Sequence, residues 1–195
     1  MNLKIFAFIS CLLISVHAKG KLFIAPGLYY IISGNHDVTY TGGSSANTVE
    51  GYVGNLKLGL SNGTFSFGGV VQRGKAELIN SSGTSIGYSW YTRIGGFIGY
   101  TLPMKLTFGV SYNLPPLNHS ESTYTGFSSG VLNFGVSYPL VSFLRLNVAY
   151  GMSVSPKYVV SGTANDLPYT SGVTYKEFTT SSLSAGIEVP ISLGF

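Results

Sequence analysis

Apolar residues recur at every second position over most of this chain, and that period admits few folds. In the final segment Leu183, Ala185, Ile187, Val189, Ile191, Leu193 and Phe195 alternate with Ser182, Ser184, Gly186, Glu188, Pro190, Ser192 and Gly194. Successive side chains of an extended strand point to opposite faces of a sheet, so one face is oily and the other small or polar. A surface helix would instead repeat its apolar positions every three or four residues.

Seven further segments read the same way. Their apolar faces are Leu22, Ile24, Leu28, Tyr30 and Ile32; Tyr52, Leu56, Leu58 and Leu60; Phe65, Phe67 and Val71; Tyr88, Trp90, Ile94, Ile98, Tyr100 and Leu102; Leu106, Phe108, Val110, Tyr112 and Leu114; Leu132, Phe134, Val136, Tyr138 and Leu140; Leu144, Leu146, Val148, Tyr150 and Met152. Long connections (Ser33 to Thr48, Arg73 to Ile86, Pro115 to Ser128, Ser155 to Glu177) alternate with tight turns at Ser61-Asn62-Gly63, Pro103-Met104 and Val141-Ser142. Asn-Gly is a hairpin-turn signal.

Alternation alone also describes a secreted soluble β-sandwich. Composition and connection lengths favour a membrane. Charged residues are only 9% of the chain against roughly a quarter in soluble domains. Short turns on one side and long loops on the other are the habit of membrane barrels. The outward aromatics sort by height, with Tyr30, Tyr52, Tyr88, Trp90 and Tyr112 toward the loops and Tyr100, Tyr138 and Phe195 toward the turns, as two interfacial girdles would. In lipid an open sheet edge leaves unpaired backbone groups, so the sheet must close. The expectation is an all-β, eight-stranded antiparallel up-and-down transmembrane β-barrel with four long external loops and short periplasmic turns. Pro26, Pro139 and Pro190 fall inside proposed strands, where a missing N–H predicts a bulge or strand end.

Residues 1–18 read as a removable leader: Lys4, an apolar run from Ile5 to Val16, and a small-residue exit at Val16-His17-Ala18. That run is too short to span a bilayer as a helix. Cys11, the only cysteine, leaves with it, so no disulfide framework is expected of the domain 19–195. Without Lys4 ten basic and seven acidic residues remain, in no long basic cluster, and nucleic-acid binding has no footprint.

The pattern from Lys19 to Phe195 resembles the small eight-stranded bacterial outer-membrane β-barrel family of the OmpA transmembrane-domain, OmpX and opacity-protein type. The resemblance is most specific at Ile187-x-Val189-x-Ile191-x-Leu193-x-Phe195. It implies export to the bacterial outer membrane and a C-terminal assembly signal, Ile191, Leu193 and Phe195, read by the barrel-assembly machinery. The plainer reading of Phe195 is a last lipid-facing aromatic. Members of the family adhere, support, modify lipid or pass small solutes, so the resemblance supplies no activity.

Strand parity places Lys57, Arg93, Arg145 and Glu188 on the inner face, with Lys57, Arg145 and Glu188 toward the turn side. Charges in a narrow lumen should be paired, so these four form a candidate lumenal cluster, either an ordinary structural network or a plug that gates a channel. Candidates for catalysis are His36-Asp37 and His119-Ser120-Glu121, but neighbours on an extended chain point apart and loops do not preorganise a triad. The outer connections also hold Arg73, Lys75, Lys157 and Lys176, suited to lipopolysaccharide phosphates, and Tyr40, Tyr124, Tyr158, Tyr169 and Tyr175, suited to a surface ligand; both sets also serve solubility and anchoring. No cofactor or metal spacing appears. The sequence therefore leads to a structural or surface-interaction, adhesin-like barrel without catalysis. The alternatives are a membrane-embedded lipid-modifying enzyme and a narrow pore or small-molecule binder.

Overall fold

The computed structural model describes residues 20–121, 128–160 and 163–193. The leader, Tyr124 and Phe195 lie outside them. In chain order the strands are β1 (Lys21–Tyr40), β2 (Gly43–Ser61), β3 (Phe65–Ile79), β4 (Ser85–Thr101), β5 (Thr107–Asn113), β6 (Asn118–Glu121), β7 (Ser128–Val141), β8 (Leu144–Val160), β9 (Thr163–Asn165), β10 (Tyr169–Ser171), β11 (Val173–Glu188) and β12 (Ile191–Leu193). Each pairs antiparallel with its neighbours, and β11 pairs with both β8 and β1, which closes the sheet. Two staves are interrupted, β5 with β6 along β4 and β11 with β12 along β1, so the ring has eight staves.

The outer face carries the alternating apolar residues. Leu28 and Tyr30, Leu56 and Leu58, Ile98 and Tyr100, Phe134 and Val136 are all exposed, two positions apart on each strand. A continuous apolar exterior of this extent around a closed ring is stable only against lipid. Two aromatic levels bound it. Toward the long connections Tyr30 pairs with Tyr52, and the Tyr52 ring meets Trp90 edge-on at 5.9 Å. Toward the turns Phe65, Tyr100 and Phe108 lie in one row across three strands. Trp90 and Tyr100 are ten positions apart on β4. That is roughly 33 Å of strand, or roughly 25 Å of height at a 40° tilt, the thickness of an outer-membrane apolar band.

The turn side follows its sequence signals. Asn62 Oδ1 accepts from the backbone N–H of Thr64 (3.0 Å) and Phe65 (2.7 Å), while Gly63 takes a φ of 90° that its missing side chain permits. The prolines mark real breaks. Between the pairs Ile24↔Ile191 and Gly27↔Glu188 the ladder between β1 and β11–β12 is interrupted, and Pro26 and Pro190 both lie in that single gap, where Val189 N–H donates to the Pro26 carbonyl at 2.9 Å. Pro139 sits at a register shift against β8.

All four outer connections differ from the expected loops: β6 lies within Pro115 to Ser128, and the end of β8, all of β9 and β10 and the start of β11 lie within Ser155 to Glu177. β1 and β2 stay paired as far as Tyr40 and Gly43, so Ser33 to Thr48 is a β-ribbon with a tight Thr41-Gly42 tip, its β1 edge paired with β11 as far as Tyr175. Similarly, β3 and β4 run on to a short turn at 80–84. Above the membrane no lipid selects an oily face, so the pairing continues after the alternation that betrayed it has stopped. A bulge after Ile31 also adds one residue to β1 relative to both neighbours. Inward parity thereby passes from Tyr29 and Ile31 to Gly34, His36 and Val38.

Candidate functional site

The barrel interior holds a cavity of about 380 Å³, and the charged side chains among its lining residues are Lys57, Arg93, Arg145 and Glu188. Small inward residues make the room. Gly27 and Gly186 lie under the Tyr29 ring and Gly59 under Phe97, where a Cβ would collide. Phe23, Ile31, Val49, Val70 and Val131 supply apolar lining between polar groups.

Toward the turn side the Glu188 carboxylate, 6% exposed, accepts from Lys57 Nζ at 2.7 Å and from the Tyr29 hydroxyl at 2.9 Å. These groups span three adjacent staves, β11, β1 and β2. Arg145 stands opposite Glu188 in the β8–β11 register, yet its guanidinium donates to Thr107 Oγ1 and, at 3.3 Å, to the carbonyl of Lys105. The turn-side charges thus form two adjoining networks fixed to the wall. Arg93 does not join them. It is 9% exposed, its guanidinium carbon lies 4.4 Å over the Tyr91 ring, and it has no ion pair among the described residues. The reason is separation around the ring: Arg93 shares a register row with Glu188 through Gln72, Asn55 and Gly27, but β3, β2 and β1 lie between them. Tyr29, which completes the carboxylate's shell, was absent from the sequence-based candidates, although its odd position between outward Leu28 and Tyr30 already assigned it to the lumen.

Above the membrane the ribbon has its own packing. Val38 and Phe178 are buried, with Tyr40, Leu167, Tyr169 and Tyr175 against them. His36 is fully buried, stacks on Phe178 at 5.9 Å and hydrogen-bonds through Nδ1 to Thr180 Oγ1 at 2.8 Å. Burial lowers its pKa from the ordinary 6.5 to about 4. Asp37 points to the opposite, exposed face, so His36-Asp37 is no catalytic pair. Of the second triplet the backbone alone is placed, on β6 against β4. Among the described residues no three His, Cys, Asp or Glu side chains are grouped to hold a metal.

Arg73, Lys75 and Glu77 are not loop residues: they occupy successive outward positions on β3 at the upper aromatic level. Lys75 lies 4.9 Å over the Tyr88 ring and pairs with Glu77 at 3.3 Å. Ile191 and Leu193 face outward at the foot of the β1–β12 seam.

No protein-family model matches the chain, and no curated protein matches it. Solved structures do. The Neisserial surface protein A (NspA) is 15% identical, with 86% of this chain and 96% of that one covered at a TM-score of 0.47. The outer membrane protein OprG of Pseudomonas aeruginosa is 11% identical over 89% and 97% at 0.43. The outer membrane protease OmpT of Escherichia coli is 9% identical over 88% and 97% at 0.40. From its own closed ring of strands, apolar exterior and polar lumen, the chain is a small eight-stranded transmembrane β-barrel.

Proposed function

We propose that this barrel resides in a bacterial outer membrane and serves as a surface-interaction protein without catalysis, presenting its outer ribbon to a ligand outside the cell. The observation that carries this reading is the β1–β2 ribbon. It rises past the Tyr30–Tyr52 level as paired strand and is braced against β11 by Val38, His36 and Phe178. An ordered platform loses less conformational entropy on binding than a floppy loop. Arg73 and Lys75, outward at the aromatic level, suit the phosphates of lipopolysaccharide and would fix the platform's height. By the resemblance at its C-terminus, the chain is delivered by the barrel-assembly machinery.

The test is to replace Asp37 to Asn47 by a short Gly-Asn turn and measure adherence of expressing cells to host-cell monolayers, with lipid A acylation measured in parallel. Lost adherence with unchanged lipid A supports the reading. Undiminished adherence removes the adhesin role, and an altered acyl pattern on deletion of the whole chain would favour the enzyme instead.

A further inference from the structure

We propose that the lumen at Arg93 is a binding site for a small amphiphile bearing a single carboxylate. Three of the four charged side chains lining the cavity are cations. The one carboxylate, Glu188, is committed to Lys57 and Tyr29, and Arg145 is held by Thr107 and the Lys105 carbonyl. Arg93 remains, buried on the wall of an open space, with its Nε lacking any acceptor. The Tyr91 ring offsets part of its charge, but a cation–π contact is worth less than taking an ion out of water costs. Beside it, Asn113 is fully buried on β5, and neither its amide oxygen nor its amide nitrogen has a partner. The pairing of Gly95 with Asn113 sets it two residues along β4 from Arg93.

Arg93 defines the ligand's head, because it lines the cavity whereas Asn113 is fully buried behind the wall. A guanidinium presents parallel donors that match the two oxygens of a carboxylate. Arg93 is the one lumenal cation whose guanidinium has no hydrogen-bond acceptor among the described residues, so the head it would hold is a single carboxylate. The body of the ligand follows from the remaining wall: Ile31, Val49, Val70, Phe97 and Val131 line the same cavity. Its volume suits a short acyl or aryl chain, within the usual range of small-molecule sites. This site is independent of the ribbon and of the surface role argued above.

The barrel reconstituted in lipid nanodiscs should be titrated with hexanoate, 1-hexanol and hexylammonium by saturation-transfer NMR and calorimetry. Hexanoate is expected to bind about tenfold or more tightly than the alcohol, the worth of one charge-assisted pair, with the ammonium weakest. Arg93→Gln should erase that preference while retaining weak hexanol binding. Equal binding of hexanoate and hexanol, or no saturation by hexanoate, overturns the proposal. If Arg93→Gln fails to fold, the head-group comparison on the unaltered protein decides it alone.

Discussion

Glu188→Gln removes one charge from the lumen and almost nothing else. The amide oxygen can still accept from Tyr29, so the change isolates the pairing with Lys57 at 2.7 Å. Removing one partner of a buried pair costs about 3–5 kcal/mol because the other is left uncompensated. Lys57 keeps 24% of its side chain exposed to the lumen and has the Phe97 ring at 5.8 Å, so a smaller loss, about 2–3 kcal/mol, is expected. The lumen's three cations would then face no carboxylate at all. The assay is reversible urea unfolding in phospholipid vesicles, read from the emission of Trp90, the only tryptophan, which lies on the lipid face at the upper aromatic level. Lys57→Met in the same background should restore part of the loss, with a coupling energy of about 1–2 kcal/mol in the double-mutant cycle. If Glu188→Gln shifts stability by less than about 0.5 kcal/mol, or the two substitutions simply add, the pair does not hold this wall together and the reasoning fails.

Two further outcomes follow from the ribbon and the C-terminus. Because burial lowers the His36 pKa from 6.5 to about 4, the folded ribbon keeps the ring neutral over a range where the unfolded chain protonates it. The ribbon's stability should therefore be undiminished above pH 6.5, fall by up to about 3 kcal/mol as the pH drops to 4, and stay level below that. Hydrogen exchange of the β1–β2 amides, corrected for intrinsic rates, should show this fall, and His36→Phe should flatten it; an unchanged pH profile in that variant would assign the effect elsewhere. Deleting Phe195 should slow appearance of heat-modifiable barrel in cells while leaving refolding of purified chain into vesicles unaffected. Equal slowing in both would make Phe195 a plain stability contact rather than an assembly signal.

The sequence determined which side of the wall most residues occupy. A period of two, pinned by lipid on one face, assigns Lys57, Arg93, Arg145 and Glu188 to the lumen without reference to any neighbour. It could not say which of them meet, because that depends on how far each strand is staggered against the next. Ring closure through β11 sets Glu188 opposite both Gly27 and Arg145, the reach of Lys57 across β1 captures the carboxylate, and Arg93 is stranded on β4 with three strands between. Nor could it show the ribbon or the inward turn of His36. Above the membrane the outer face is no longer apolar and the few apolar residues turn inward, so the outward period falls silent, and the extra residue after Ile31 reverses parity through pairing with β2 and β11. Lipid writes itself into the local sequence, whereas register is a relation between distant segments and is decided only when the sheet closes.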